Sequence, residues 1–329
     1  LGELFCGCGG LGLGALRAGL VGANGIIYKI VHGWSSDIDV DACETYRGNV
    51  GGNVICCDVR DLDIGSLGEI DCFAYGFPCN DFSNVGKKRG LAGKYGMLYE
   101  YGLEVLECYS PLFFVAENVG GIRSANGFDR IISDLSSVGG GYSIFVNMFK
   151  AEEYGVPQSR HRLIIVGFRG DTGHKFVVPP VCGRIITAGE ALSGIGDGVL
   201  NNEVVWPSRK VMERLSYIKP GDNIWSVNDD IPLHLRLNVK GAKMSQIYRR
   251  LDSGRPAYTL TASGGGGTGG YHWSECRELT NRERARLQTF PDDFVFYGSR
   301  GSVRRQIGMA VPVELSRVIF NSILHEVSM

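Results

Sequence analysis

Cys79 stands in the run Gly76-Phe77-Pro78-Cys79-Asn80-Asp81-Phe82-Ser83, directly after a proline and just beyond the apolar stretch Cys72-Phe73-Ala74-Tyr75. That stretch reads as a buried strand which Gly-Phe-Pro ends. The thiol therefore projects from a loop at the carboxyl edge of a sheet, where open α/β sheets bind ligands. A thiolate so placed is a nucleophile. The default for a free cysteine is a small buried hydrophobe, and most of the other nine fall in strand-like runs such as Val54-Ile55-Cys56-Cys57. Two more strand ends bring complementary groups. Glu117-Asn118-Val119 ends the apolar strand 111–116, and Gln158-Ser159-Arg160-His161-Arg162 leads into the strand 163–168, with two guanidinium groups spaced to face the same side. Nucleophile, acid and cation converge on one edge. The plain alternative for Glu117 and Arg162 is an ordinary ion pair.

A second constellation lies nearer the amino terminus. Gly7-Cys8-Gly9-Gly10-Leu11-Gly12 follows an opening strand, precedes a helix and matches G-x-G-x-x-G, so a ligand can approach its backbone. Asp37, after Val31-His32-Gly33-Trp34-Ser35-Ser36, can accept both hydroxyls of a ribose, and Asp58, at the third strand end, can accept from an adenine amino group. Glycine loop, acid and acid describe a site for an adenosine-containing ligand. They leave NAD and S-adenosylmethionine both open.

Positioning these groups takes a parallel sheet wrapped by helices. Strands are expected to end near Phe5, Trp34, Cys57, Tyr75 and Ala116, with two more at 142–147 and 163–168; helices are expected over 11–18, 40–46, 97–109 and 128–138. After about Pro179 the rhythm fails, and from about 200 to 276 Pro, Gly, Asn and Trp mix without periodicity, which predicts a smaller irregular domain. Thr280-Asn281-Arg282-Glu283 predicts a capping box, and Pro312 opens a final helix, 313–326, that packs back on the first domain. The expected division is 1–200 plus 305–329 as catalytic and cofactor-binding domain, 201–276 as recognition domain and 277–304 as hinge.

The chain has 329 residues and, with 34 Lys+Arg against 35 Asp+Glu, a net charge of −1, so any polyanion surface must be local. From Arg249 to Arg305, ten arginines face six carboxylates. Cysteines in apolar runs without a secretory leader point to a reducing cytoplasm. Cys6-Gly7-Cys8 and Cys56-Cys57 lack paired zinc spacing, so no metal is assigned, and no uninterrupted apolar run reaches membrane-spanning length.

Five motifs in this order resemble the DNA (cytosine-5) methyltransferase family of bacterial and phage restriction-modification systems. They are Glu3-Leu4-Phe5-Cys6-Gly7-Cys8-Gly9-Gly10, Gly76-Phe77-Pro78-Cys79, Glu117-Asn118-Val119, Gln158-x-Arg160-x-Arg162 and Arg255-Pro256-Ala257-Tyr258-Thr259. Tyr154-Gly155-Val156-Pro157 and Gly308-Met309-Ala310-Val311-Pro312 fit as well. The resemblance spans the chain except for about 171 to 250. It implies a Rossmann-like, S-adenosylmethionine-dependent methyltransferase sheet with a smaller target-recognition domain, acting as a monomer on double-stranded DNA in the cytoplasm of a bacterial or phage-infected cell. A cognate restriction endonuclease would be a genetic partner only.

The roles it implies agree with the chemistry of the residues. Cys79 attacks C6 of cytosine, Glu117 holds the N3/N4 edge and protonates N3, Arg162 binds the O2 side, and Arg160 supports the loop or lowers the Cys79 pKa. Phe5, Gly7, Gly9 and Gly10 line the cofactor site, with Asp37 on the ribose, Ile38 on the adenine, Asp58 on its amino group, and Pro78 and Leu98 at the methionine end. Ser83, Lys87, Lys88 and Arg89 follow the nucleophile on a loop facing DNA. Arg255 and Thr259 organise the recognition domain, and Arg249 and Arg250 reach guanine edges or phosphates. Glu3 stands where aspartate is usual, Asn80 where glutamine is common, Val85 where a serine fills the flipped base's space, and Met309 where asparagine is common. An RNA (tRNA) methyltransferase on the same scaffold is the nearest alternative. An NAD-dependent oxidoreductase leaves Cys79, Glu117 and Arg162 unexplained, and a DNA-binding module without catalysis sits poorly with all three intact.

Overall fold

In a computed structural model that describes residues 1–23, 25–78, 97–196, 198–238, 244–262 and 267–329, strands and helices alternate through the first half of the chain. In order they are β1 (Gly2–Leu4), α1 (Gly10–Leu16), β2 (Gly19–Val21), β3 (Ile27–Lys29), β4 (Trp34–Asp37), α2 (Val40–Asn49), β5 (Asn53–Cys56), β6 (Cys72–Tyr75), α3 (Glu100–Tyr109), β7 (Phe113–Val119), α4 (Phe128–Ser137), β8 (Tyr142–Lys150), β9 (Gln158–Ser159) and β10 (His161–Arg169). There follow α5 (Ala188–Leu192), α6 (Arg209–Ser216), β11 (Ala257–Tyr258), α7 (Asn281–Leu287), α8 (Arg300–Met309) and α9 (Val313–Val327). Cys79, Asn80, Ser83, Val85, Lys87, Lys88 and Arg89 lie outside the described residues.

Seven strands form one sheet in the order β5-β4-β1-β6-β7-β10-β8. All run parallel except β10, which is antiparallel to both β7 and β8. From β1 the chain builds outward through β4 to β5, then returns beside β1 with β6. Strand order thus reverses between β1 and β6, and an open sheet leaves a ligand crevice at the carboxyl ends there.

The side-chain alternation of the central strands divides two cores. Cys72 and Ala74 of β6, Phe113 and Val115 of β7, and Ile164 and Val166 of β10 pack on one face with Ile319, Phe320 and Ile323 of α9. Phe73, Tyr75, Phe114, Ala116, Leu163 and Ile165 pack on the other with Val105 and Leu106 of α3 and Ile131 of α4. Apolar residues on both faces are what a sheet covered on both sides requires.

The last helix closes against the first. A Cβ at Gly14 would stand 2.3 Å from Ser316 Cβ, one at Gly10 would stand 2.3 Å from the Val311 carbonyl oxygen, and Ser316 Oγ donates to the Leu11 carbonyl at 2.6 Å. Glycines in α1 therefore serve helix packing as much as ligand approach. The stretch Arg300–Val327 is apolar and long enough, by length and composition alone, to cross a bilayer. It is nevertheless two helices parted before Pro312, and Leu315, Ile319, Phe320, Ile323 and Leu324 of the second are core residues.

The interval after α1 is a β2–β3 hairpin, with Gly22 and Gly25 in its turn. One expectation changes. The strand expected to end near Trp34 begins there and runs to Asp37, because the small buried Ser35 and Ser36 pair with β1 on one side and β5 on the other. The capping box is present, with Thr280 Oγ1 accepting from Glu283 N at 3.1 Å and Glu283 Oε2 accepting from Thr280 N at 2.7 Å. Between 201 and 276 regular structure is sparse, and Leu215, Ile218, Ile224, Ile231, Leu235, Tyr248 and Tyr271 form a small separate core.

Candidate active site

The carboxyl ends of β1, β4, β5 and β6 enclose a cavity of about 250 Å³ whose walls include Phe5, Asp37, Ile38, Asp58, Pro78 and Leu98. Phe5 has φ 55°, Gly7 φ 52° and Gly9 φ 95°, so the chain turns through left-handed conformations just past β1. Among the described residues no atom lies within 4 Å of where a Gly7 Cβ would stand. The turn is held to the next strand end: Gly7 N donates to Asp37 Oδ2 at 2.8 Å and Asp39 N to Asp37 Oδ1 at 2.9 Å. Burial raises the Asp37 pKa, and these two amides oppose the rise.

Asp58 accepts from Arg60 N at 3.0 Å and forms an ion pair with the Arg60 guanidinium, which also lines the cavity. Arg60 was not singled out in the sequence. Its signal is local, since an aspartate whose side chain caps the amide two residues on makes an Asx turn that carries Asp-Val-Arg together. Ile38 is 64% exposed at the cavity mouth and offers an apolar face that a purine could cover. Two carboxylates, an apolar wall and one arginine suit a nucleoside carrying a cationic sulfonium better than a dinucleotide with its pyrophosphate. The residues present fit S-adenosylmethionine.

One strand further along the sheet stands the acid. Glu117 belongs to β7 and Arg162 to β10, whose register pairs Ile164 with Glu117 and Arg162 with Val119. The two side chains are diagonal neighbours on one face. Arg162 Nε lies 2.7 Å from Glu117 Oε1, with the side chains 11% and 12% exposed. Burial pushes the Glu117 carboxyl up, and Arg162 and then Arg160 pull against that rise. A Cβ at Gly76 would stand 3.4 Å from Glu117 Oε2, so the acid borders the segment leading to Cys79. Asn118, one residue on, faces the other way and fixes the same segment: its Nδ2 donates to the Phe77 carbonyl at 3.1 Å. Pro78, the last described residue before Cys79, lines the cavity, so the residue preceding Cys79 touches that space.

Arg160 is placed differently from Arg162, and of its two expected roles the contacts fit the supporting one. It is 1% exposed, and Nη2 donates to the carbonyls of Gly308 and Ala310, both at 2.9 Å, with Nη1 on Leu260 at 3.4 Å. It is a positioning residue behind the site, tying β9 and β10 to the segments around 260 and 308. Gln158 and Thr259 extend the seam, with Leu260 N donating to Gln158 Oε1 at 3.1 Å and Thr259 Oγ1 donating to the Ser159 carbonyl at 2.6 Å.

Arg250 departs from its expected place. It is 6% exposed and donates to the carbonyls of Leu215, Ile218, His272 and Trp273, so it braces the irregular region from within and presents nothing to a base edge. Nothing in Tyr248-Arg249-Arg250-Leu251 distinguishes it from its neighbour. Arg249 lies over the Tyr258 ring at 4.4 Å. Arg255 is exposed beside Asp252 at 3.4 Å, and Met309 is exposed.

The family model for C-5 cytosine-specific DNA methylase matches residues 1–325. The Type II methyltransferase M.BbvI of Brevibacillus brevis is 53% identical over 338 residues, covering 98% of this chain and 90% of that protein. M.NgoFVII of Neisseria gonorrhoeae, also a Type II methyltransferase, is 41% identical over 335 residues, covering 96% and 85%. Among solved structures, a protein encoded within an E. coli prophage aligns over 100% of this chain and 99% of its own with a TM-score of 0.76 at 24% identity. The S. pombe Dnmt2 methyltransferase aligns over 98% and 96% with a TM-score of 0.66 at 16% identity. These two likenesses are of fold.

Proposed function

Because the chain belongs to the C-5 cytosine-specific DNA methylase family, and is thereby a DNA (cytosine-5)-methyltransferase, we propose that it methylates a flipped-out cytosine in double-stranded DNA through a covalent Cys79 adduct. The observation that carries this reading is the buried Glu117–Arg162 pair, whose carboxylate borders Gly76 in the segment that leads through the cavity-lining Pro78 to Cys79.

Cytosine C5 is too weak a nucleophile to accept a methyl group until something adds at C6. A Cys79 thiolate both adds and leaves readily near neutral pH. As its sulfur bonds to C6, electron density moves toward N3. Glu117, whose carboxyl is raised by burial, is suited to hold the N4 amino group and give N3 its proton. Arg162 keeps that carboxyl in place and carries positive charge toward the O2 side. Asp37 and Asp58 would hold the ribose and adenine, with Ile38 against the purine. S-adenosylmethionine, when bound, supplies an electrophilic methyl group. Loss of the C5 proton then expels Cys79. Because C5 and C6 are inaccessible in a stacked duplex, the base must leave the helix.

Residues 201–276 would read the target sequence, with 277–304 as the connection and Arg255 and Thr259 at its root. The restriction-modification relatives support a cognate endonuclease as genetic partner, and a cytoplasmic location suits a DNA substrate. Bisulfite sequencing of plasmid from cells expressing the protein tests the substrate: protected cytosines at one recurring sequence are expected. Unmodified plasmid, together with methylation of tRNA by the purified protein, would contradict the reading.

A further inference from the structure

Arg284 of α7 is 2% exposed, and its Nε and Nη2 are buried without a hydrogen-bond partner among the described residues. Around it, Arg300 and Arg304 of α8 both turn to Glu278: Arg300 Nη2 lies 3.7 Å from Glu278 Oε2, and Arg304 Nη2 donates to the same oxygen. Two guanidinium groups thus share one carboxylate, with Arg284 buried beside them and Glu203 a further negative charge near Arg300. Burial and then Arg304 lower the Arg284 pKa to about 10, and the same two causes lead the lowering at Arg300. Gly269 and Gly270 bring backbone close over the cluster. A Cβ would stand 2.7 Å from Glu278 Oε1 at the first and 3.6 Å from Arg284 Nη2 at the second. The Arg300 side chain is 35% exposed against 10% for Arg304, so the cluster meets solvent at Arg300.

We propose that Arg284, Arg300 and Arg304 bind one phosphodiester group of the DNA backbone. A buried cation without a counter-charge is unfavourable, and excess positive charge beside two unused N–H donors calls for an anion with several acceptor oxygens. The guanidinium fork matches the two non-bridging oxygens of a phosphodiester, and Glu278 orients two of the three forks. The inference rests on DNA as substrate. Inorganic phosphate has the same chemistry, so the test separates the two.

The full chain is titrated with a long duplex at several salt concentrations, as wild type, Arg284→Met and Arg300→Gln. One lost phosphate contact lowers the slope of log K against log salt by about 0.9, and a fall toward that value is expected in both variants. Met fills the Arg284 site without a charge, and Arg300 is exposed enough that its replacement preserves the fold. Unchanged slopes would overturn the proposal. In DNA-free protein, inorganic phosphate should raise the Tm of wild type and not of Arg284→Met; that response with unchanged DNA slopes would mark a free-anion site and overturn the backbone assignment. A wild type that binds with the steeper slope yet transfers no methyl group would sink the proposed function and leave this site standing.

Discussion

Glu117 and Arg162 meet at 2.7 Å across antiparallel strands, and sheet register alone puts them there. A slip of one residue would turn one of them to the opposite face. Arg162 is the foremost influence holding the Glu117 carboxyl down against burial. If Glu117 acts protonated, methyl transfer falls as pH rises through its pKa. Removing the cation raises that pKa further, so Arg162→Met should move the basic limb of the kcat profile to higher pH. Loss of the acid in Glu117→Gln should lower kcat by about 10²–10⁴. Steady-state rates across pH check both; a basic limb moving to lower pH in Arg162→Met would contradict the assignment.

Asp37 joins the glycine turn to the cofactor space through the amides of Gly7 and Asp39. Asp37→Ala removes a charged acceptor and leaves the Gly7 amide unpaired, which should weaken S-adenosylmethionine binding by about 10- to 100-fold. Calorimetric titration of the DNA-free protein measures this, and an unchanged Kd would remove Asp37 from the site.

Arg160 and Arg162 lie two residues apart and should separate by assay. Arg160→Met strips donors from carbonyls of Leu260, Gly308 and Ala310, so it should lose about 3 kcal/mol of stability. Arg162→Met should lose activity with a much smaller change in Tm. Thermal unfolding beside rate measurements decides; equal stability of the two variants would contradict the division.

Glu3 is 2% exposed and accepts from the Tyr46 hydroxyl at 2.7 Å, and burial pushes its carboxyl from 4.5 to about 8. Between those values the folded chain keeps a proton that the unfolded chain releases, so this group's contribution falls as pH rises through the window. Glu3→Gln preserves the shape without the ionisation. Its Tm should overtake that of wild type as pH rises from 6 to 9, by a difference worth a few kcal/mol at the top of the range, roughly as the shift implies. A Tm difference independent of pH would show that Glu3 ionises freely when folded.

Local patterns made much of this legible. Apolar runs broken by Gly or Pro marked the strand ends near Phe5 and Tyr75, whereas the strand expected to end near Ala116 runs on to Val119; the ends of β1, β4, β5 and β6, with Leu98 before α3, gather Phe5, Asp37, Ile38, Asp58, Pro78 and Leu98 on one cavity. What escaped depends on non-local partners. Ser35 and Ser36 read as loop because two small polar residues carry no strand signal, yet both are buried between β1 and β5. The hairpin at Gly19–Lys29 lacks an alternating apolar face, since Val21, Ile26 and Ile27 are all exposed. Arg249 and Arg250 are identical as sequence; only the fold lays one on Tyr258 and buries the other among carbonyls.

The central claim is that Cys79 forms the bond to cytosine C6 with Glu117 and Arg162 beside it. It is tested most directly by transfer of labelled methyl from S-adenosylmethionine to duplex DNA by wild type and Cys79→Ser, with cofactor binding measured in parallel. Labelled DNA is expected with wild type, with a loss of at least about 10³-fold in rate for Cys79→Ser and unchanged cofactor affinity. A Cys79→Ser protein that labels DNA at the wild-type rate would contradict that claim.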